Sequence, residues 1–167
     1  MREVMIKDQR EVNASPVTVW AAIKDPRAHA AWHPFVTRIE GTHEAGADRV
    51  CSVKLGRKLA QTRERCIVDQ SEQRISWRID EDTSGFSRLV SDWTAGFSLA
   101  ARDDRTLVTA ESAFRPRNGL VRLLMPMVRW KFHQTQRAIL AGLEEYVGAR
   151  ARGGGEDAAT LQELTSE

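Results

Sequence analysis

The sequence predicts an α+β domain in which a curved, seven-stranded antiparallel sheet, two short helices and one long C-terminal helix enclose a cavity. Three observations lead to this fold class: one strand pattern followed by two short helices, six further strand patterns joined mostly by short turns, and one long amphipathic helix at the end. Short turns join neighbouring antiparallel strands. A twisted sheet of seven strands curls, so its concave face can hold the long helix.

The first strand pattern is EVMIKDQREV, in which side chains alternate between two faces. Val4, Ile6 and Val12 mark the apolar face, and Asp8 and Arg10 fall on that same face. Charges on the inner face of a sheet are costly unless they are paired. The pattern therefore predicts a strand whose buried side carries two charged residues.

Two short helices follow. In NASPVTVWAAI, Ser15 is suited to cap the helix and Pro16 to occupy its first position. Asp25 and Pro26 end this helix, and RAHAAWHP adds one or two turns that Pro34 closes. These helices are predicted to plug one end of the curled sheet.

Six strand patterns come next, separated mostly by short turn signals. They are FVTRIEG, RVCSVKL, LAQTRERCIV, RISWRI, RLVSDWTAGFSLAA and TLVTAESAF. A hairpin turn at GRK places Cys51 opposite Thr62 or Arg63, and Cys66 opposite Asp48 or a neighbour. A disulfide needs α-carbons within about 7 Å, so both thiols are expected to be free.

The final helix pattern runs from about Gly119 to Gly148, with Val128, Phe132 and Ile139 on one apolar stripe. Its first segment, LVRLLMPMVRWKF, is apolar almost all the way round. Pro126 removes a backbone hydrogen bond, which predicts a kink or break near Arg122–Pro126. Two interpretations of this apolar segment are open: it gates the cavity, with transient contact to a membrane while ligand passes, or it lies in a homodimer contact. The protein is accordingly expected to be a monomer or a homodimer.

Composition limits the function classes. The 25 basic and 23 acidic residues nearly balance, which does not predict a nucleic-acid partner. No apolar run approaches the roughly 18–20 residues of a membrane span, and no export signal opens the chain, so a cytoplasmic protein without a transmembrane segment is expected. The spacing of His29, His33 and His43 forms no convincing ligand set, and no phosphate-binding loop is present. Neither a metal nor a cofactor is therefore expected.

The domain is predicted to cover residues 1–148. The following segment, ARARGGGEDAATLQELTSE, contains a glycine run and a net excess of acidic side chains. Such a segment buries too little apolar surface to offset its ordering entropy. Residues 149–167 are therefore predicted to form a flexible acidic tail.

Candidate ligand-binding residues are polar groups on apolar faces and large apolar groups on the strands and the last helix. They are Asp8, Arg10, His33, Phe35, Glu64, Trp77, Trp93, Phe97, Phe114, Leu124, Met127, Val128 and Phe132. For the charged members, two interpretations are open: a bulge or a place at the wet mouth keeps them in water, or they orient one end of an apolar ligand. For each aromatic residue, plain core and cavity wall are both open, and together they suggest a pocket.

Several spaced motifs resemble the START-like, or SRPBCC, superfamily. NASPVTVWAAIKDPRAHAAWHP resembles its opening, ERCIVDQSEQRISWRI its middle hairpin and TLVTAESAFRP its last strand. The resemblance extends from about Glu3 to Gly148 and is greatest to the polyketide cyclase/dehydrase and lipid-transport branch. It implies a helix-grip fold around a hydrophobic ligand cavity. No catalytic motif is shared, so no catalytic residue is assigned.

Three functions follow as hypotheses, because one fold serves many functions. The favoured one is binding or transport of a hydrophobic small molecule, such as a lipid, a polyketide or a ring compound. The second is a polyketide cyclase or dehydratase that acts by positioning and acid–base catalysis. The third is a co-chaperone-like or regulatory interaction module, which should have a small, filled interior and an exposed apolar patch.

Overall fold

The computed structural model of the protein describes the backbone of residues 2–164 and the side chains of residues 2–152. It confirms the predicted fold class and order of elements. The strands are β1 (Val4–Val12), β2 (Val36–Gly41), β3 (Asp48–Leu55), β4 (Lys58–Gln70), β5 (Arg74–Asp82), β6 (Val90–Arg102) and β7 (Arg105–Pro116). The helices are α1 (Pro16–Lys24), α2 (Pro26–Trp32), α3 (Gly119–Leu123) and α4 (Met125–Leu164), with a 3₁₀ turn at Phe86–Arg88.

The seven strands form one antiparallel sheet in the order β1-β7-β6-β5-β4-β3-β2. The β3–β4 register pairs Cys51 with Thr62, and Asp48 pairs with Arg65, the neighbour of Cys66. This confirms the predicted hairpin, and Cys51 and Cys66 are both free thiols.

The pairing of β1 with β7 runs without a register shift from Val4 opposite Phe114 to Val12 opposite Thr106. No bulge therefore turns Asp8 or Arg10 away from the face that they share with Ile6. A bulge does occur in β6 between Ser91 and Thr94. There Asp92 adopts a positive φ of 51° and is exposed.

Local capping explains the two short helices. The Ser15 hydroxyl accepts a hydrogen bond from the Thr18 amide at 3.4 Å, and the Asp25 carboxylate accepts one from the Arg27 amide at 2.9 Å. The indole Nε1 of Trp32 donates to the Ala22 carbonyl at 2.8 Å. This bond ties α2 to α1, and both pack over one part of the sheet.

Two apolar clusters lie under α4. The larger one includes Val12, Val19, Ile23, Trp32, Ile75, Trp77, Phe97, Leu140, Leu143 and Val147. The smaller one includes Val4, Ile6, Val90, Phe114, Val121 and Met125, with Phe86, Trp93, Val128 and Phe132 packed against it. Because α4 contributes to both clusters, it is held against the sheet at two places along its length.

The break predicted near Arg122–Pro126 is found at Leu124, between two helical segments. The first helical segment, α3, is capped by Asn118, whose side chain accepts from the Val121 amide at 2.9 Å, and it ends before Leu124. The second, α4, continues past the predicted end at Gly148 to Leu164. The side chains beyond Arg152 lie outside the described residues, so the domain boundary at residue 148 and the flexible acidic tail stay predictions.

Gly142 should resist substitution by alanine. A Cβ at this position would lie 2.5 Å from the Trp32 carbonyl oxygen, where α2 approaches α4. Gly142→Ala is therefore expected to lower the free energy of unfolding by about 1–3 kcal/mol. Urea unfolding measures this change.

Gly148→Ala is the matched control on the same helix, because its Cβ would have no neighbour closer than 3.9 Å. Helix propensity alone should stabilise this variant by about 0.5–1 kcal/mol. Equal effects of the two substitutions would contradict the close contact between α2 and α4.

Candidate ligand-binding cavity

A cavity of about 650 Å³ lies between the concave face of the sheet and α4. Its lining is mostly apolar and draws side chains from both clusters. The apolar lining residues include Phe35, Val36, Cys51, Val53, Leu55, Ala60, Trp77, Phe86, Trp93, Ala95, Phe97, Ala110, Phe132 and Ile139. A space of this size accommodates a small organic molecule of several rings.

The exposed members of the lining mark where the cavity opens. Leu55 and Gly56 lie in the hairpin between β3 and β4, Ser84 follows β5, and Lys131 lies near the start of α4. The opening is therefore bounded by this hairpin, the loop between β5 and β6, and the first turns of α4.

The structure brings seven of the predicted site residues together around the cavity. They are His33, Phe35, Glu64, Trp77, Trp93, Phe97 and Phe132. They come from β4, β5, β6, α4 and the segment between α2 and β2, so distant parts of the chain meet there. Their role in binding a ligand remains a prediction.

Four apolar candidates lie elsewhere. Phe114 is fully buried in the smaller cluster, and Val128 packs against that cluster. Leu124 and Met127 are 44% and 60% exposed on the outer surface of the helical segment. The break before α4 explains their exposure, because Met125 is the residue of this turn that points into the smaller cluster.

Asp8 and Arg10 face α4 and do not line the cavity. The Asp8 carboxylate accepts hydrogen bonds from His133 Nδ1 at 2.6 Å and from Arg137 Nε at 3.3 Å. Arg10 donates to the Glu144 carboxylate. These charges hold α4 over the edge strand β1.

The polar side of the cavity is built on a buried ion pair between Arg49 and Glu64, which stand opposite each other in β3 and β4. Arg49 Nε and Nη2 donate to one Glu64 oxygen at 2.8 and 2.5 Å. The Thr62 hydroxyl donates to the other oxygen at 2.7 Å. The guanidinium carbon lies 3.7 Å from the centre of the Trp77 ring, a favourable cation–π contact.

Hydrogen bonds select the tautomers of the neighbouring histidines. Arg49 Nη1 donates to His43 Nε2 at 2.7 Å, so His43 Nδ1 carries the proton and donates to the Ile23 carbonyl at 3.0 Å. His33 Nδ1 accepts from the amides of Phe35 and Val36 at 3.3 and 3.2 Å. The proton of neutral His33 is therefore on Nε2.

Burial and the charge of Arg49 keep these imidazoles neutral. Burial, reinforced by Arg49, lowers the pKa of His33 to about 3 and that of His43 to about 4. The same two causes lower the pKa of His29, which donates to the Ile23 carbonyl at 3.2 Å, well below its usual value. Burial and then the Glu64 charge raise the pKa of the Cys51 thiol to about 12.

Three buried polar atoms on the cavity wall have no hydrogen-bond partner among the described residues. They are the indole nitrogens of Trp77 and Trp93 and the side-chain oxygen of Gln136. The Gln136 amide nitrogen donates to the Ile6 carbonyl at 3.2 Å, which leaves the oxygen as the free end. Buried polar groups are normally satisfied by protein, water or ligand.

A comparison with known families matches residues 3–148 to the family described as polyketide cyclase / dehydrase and lipid transport. The chain belongs to this family. The match spans the whole sheet, α1 to α3 and the cavity, and it agrees with the START-like resemblance of the sequence. No curated protein sequence matches the chain.

Solved structures share the fold of this family member at low sequence identity. The Zhui aromatase/cyclase from Streptomyces sp. R1128 has a TM-score of 0.74 and 16% identity, over 92% of this chain and 99% of that one. A START superfamily protein from Mycobacterium smegmatis has a TM-score of 0.69 and 17% identity, over 87% and 97%. A norcoclaurine synthase mutant from Thalictrum flavum has a TM-score of 0.69 and 14% identity, over 90% and 97%.

Two further features concern metals and membranes. His29 stacks with His33 at 5.4 Å and meets His43 edge-on at 5.3 Å between ring centres. Even so, no three His, Cys, Asp or Glu side chains in the described part of the family member are placed to hold a metal ion. None of its described helices is both long and apolar enough to cross a bilayer.

Sequence reasoning missed Arg49, His29 and Gln136 as cavity residues. A signal for Arg49 was available, because it shares a face of β3 with Cys51 and Val53, and the predicted register places it near Glu64. His29 and Gln136 gave no such signal, since their positions depend on how α2 and α4 cross the sheet.

Replacing Glu64 with Gln should destabilise this family member strongly. The Arg49 and Glu64 side chains are 6% and 12% exposed, so Glu64→Gln leaves a buried cation without its counter-charge. The expected loss is about 3–5 kcal/mol of unfolding free energy, measured by urea unfolding. The control Glu81→Gln breaks the pair with Arg63, in which both partners are more than half exposed, and should change nothing measurable. A similar loss in both variants would refute the buried pair.

Acid should destabilise the protein through its neutral histidines. Unfolded histidines protonate near pH 6.5, whereas folded His33 and His43 have pKa values of about 3 and about 4. Below about pH 6.5 the unfolded state binds more protons than the folded state. The unfolding free energy therefore decreases as the pH is lowered, by up to about 1.4 kcal/mol per pH unit for each histidine. Urea unfolding between about pH 7 and 4 should show this fall.

His33→Asn isolates one of these contributions. The asparagine oxygen can accept the amide protons of Phe35 and Val36 that His33 Nδ1 accepts now. In this variant, the slope of unfolding free energy against pH should be smaller by the contribution of one histidine. An unchanged slope would show that His33 is not held neutral.

Proposed function

We propose that the protein binds a neutral, largely apolar small molecule, of the size of a compound with several rings, in the cavity under α4. The observation that carries this proposal is the mostly apolar space of about 650 Å³ with one polar side. A lipid, a polyketide and another ring compound are the classes that suit it. A space of this volume does not suit an interaction module with a filled interior.

The polar side favours a neutral ligand with a carbonyl or hydroxyl oxygen. Glu64 already balances the charge of Arg49, so an anionic ligand would find no net positive charge there. The three bonds to Glu64 and His43 use three of the five guanidinium N–H groups. The other two, and the proton on His33 Nε2, are available to a ligand oxygen.

Filling the cavity should weaken binding. Ala95 lines the cavity on β6, whereas Ala101 is exposed near the end of the same strand. The neutral probe N-phenyl-1-naphthylamine should fluoresce with wild type and with Ala101→Phe. With Ala95→Phe its affinity should fall about tenfold or more, because the new ring occupies the site. Native mass spectrometry of freshly purified protein then tests for a ligand that co-purifies. Failure of wild type to bind the probe, or equal binding by both variants, contradicts the proposal.

The contribution of the ion pair can be tested with two ligands of nearly equal shape. Wild type should bind benzophenone more tightly than diphenylmethane, because only the ketone accepts a hydrogen bond. The double variant Arg49→Met, Glu64→Met removes both charges and should bind the two ligands alike, while still binding N-phenyl-1-naphthylamine. Displacement of that probe measures both affinities. Equal affinity of wild type for both ligands would remove Arg49 and Glu64 from the binding site.

Catalysis is the second candidate function, and the observation that favours it is neutral His29 beside Arg49, because its Nδ1 donates to the Ile23 carbonyl and its Nε2 is the nitrogen left to accept a proton. A neutral imidazole nitrogen can accept a proton next to a carbonyl, and the guanidinium can stabilise the resulting enolate oxygen. This arrangement suits an intramolecular aldol cyclisation followed by loss of water. A synthetic poly-β-ketone thioester, followed by liquid chromatography and mass spectrometry, tests for loss of water. Product formed equally fast by wild type and by His29→Ala, His33→Asn would leave binding as the function.

A further inference from the structure

The outer surface of α3 and the start of α4 is unusually apolar. Eleven large hydrophobic side chains in the described chain are exposed, and five of them fall within residues 120–130. These five form what we call the apolar face: Leu120, Leu123, Leu124, Met127 and Trp130. Leu123 and Trp130 are 76% and 62% exposed. An exposed cluster of this kind marks an interaction surface more often than a chance arrangement.

The core does not need the apolar face. In the same segment, Val121 and Met125 point inward and are buried in the smaller cluster. The five exposed side chains therefore lie on the other side of the segment, with no contact that accounts for them among the described residues.

Basic residues surround the apolar face, and acidic residues are absent from it. Residues 115–131 contain five arginines or lysines and no aspartate or glutamate. Arg115 pairs with Asp92 at 3.7 Å, and Arg117 donates to backbone carbonyls of Ser87 and Val90. The other three, Arg122, Arg129 and Lys131, are exposed and form no ion pair with any described residue.

We propose that the apolar face docks on the surface of an anionic lipid bilayer. Leucine, methionine and tryptophan side chains enter the boundary between headgroups and acyl chains, while arginine and lysine remain at the level of the phosphates. This combination of an exposed tryptophan, four aliphatic side chains and three unpaired cations matches the chemistry of such an interface. The proposal does not depend on the identity of the cavity ligand.

The charge pattern disfavours a second copy of the chain as the occupant. In a twofold dimer the same patch meets itself, so Arg122, Arg129 and Lys131 would face their own counterparts. Like charges placed together across an interface cost binding free energy. An anionic bilayer instead complements all three cations at once.

Docking would also orient the cavity. Lys131 belongs both to the basic group and to the rim of the opening, and Phe132 next to it lines the cavity. The opening would then lie at the level of the headgroups, where a ligand could pass between bilayer and protein without crossing bulk water.

Vesicle sedimentation tests the proposal with the full chain. Wild type should sediment with vesicles of phosphatidylcholine containing roughly a third phosphatidylglycerol, and much less with phosphatidylcholine alone or in high salt. Arg122→Gln, Arg129→Gln should lower the partition coefficient about tenfold or more. Leu123→Gln, Trp130→Gln should lower it at least about fivefold.

Matched controls lie outside residues 115–131 and are also exposed. They are Arg27→Gln, Arg102→Gln for the charges and Val17→Gln, Ile67→Gln for the apolar side chains. Both should sediment as wild type does, and circular dichroism should show all four variants folded, since every replaced side chain is exposed.

Three results would overturn the inference. The first is wild type remaining in the supernatant with anionic vesicles. The second is a loss of binding in the control pairs as large as that in the test pairs. The third is light scattering that gives two chains for wild type and one for Leu123→Gln, Trp130→Gln, which assigns the apolar face to a homodimer. None of these results bears on the cavity proposal, because no cavity ligand enters this experiment.

Discussion

The Arg49–Glu64 pair is the interaction on which the arrangement of the cavity depends. Two charges are costly on an apolar wall unless they are paired with each other and further hydrogen-bonded. That requirement accounts for Thr62 and His43 as partners of the pair. Through His43 the network also reaches the Ile23 carbonyl of α1, so the same charges that give the cavity its polar side fix the register of β3 with β4 and attach a helix to it.

A cavity of this size persists because α4 is supported at two places along its length. Leu140, Leu143 and Val147 pack into the larger cluster, and Met125, Val128 and Phe132 belong to the smaller one. Between them the helix spans the concave face without filling it. The Asp8–His133 hydrogen bond and the Arg10–Glu144 ion pair connect β1 to α4 along the outer edge. Apolar packing and edge charges thus hold the helix off the centre of the sheet, where close packing would otherwise remove the space.

The sequence predicts the fold well because local signals determine most of it. Strand alternation, the cap at Ser15, the stop at Asp25 and Pro26 and the break near Arg122–Pro126 all act within a few residues. The site is predicted less completely, since its contacts join residues far apart in the chain. Asp8 is on the expected face, but its partners lie more than 120 residues away on α4. The exposure of Met127 depends on the turn at Leu124, which a helical repeat does not describe.

The interior and the outer surface use charge in opposite ways. Inside, each charge of the central pair is balanced, so the proposed neutral ligand would be recognised by its shape and its oxygen atoms. Outside, three cations have no ion-pair partner among the described residues, and their long-range attraction to anions requires no fixed geometry. A neutral ligand carries no net charge for the exposed cations to attract. Docking of the apolar face on anionic lipid would therefore not change which molecule the cavity binds. Lys131 belongs to both regions, because it is one of the three exposed cations and also lines the rim of the cavity opening.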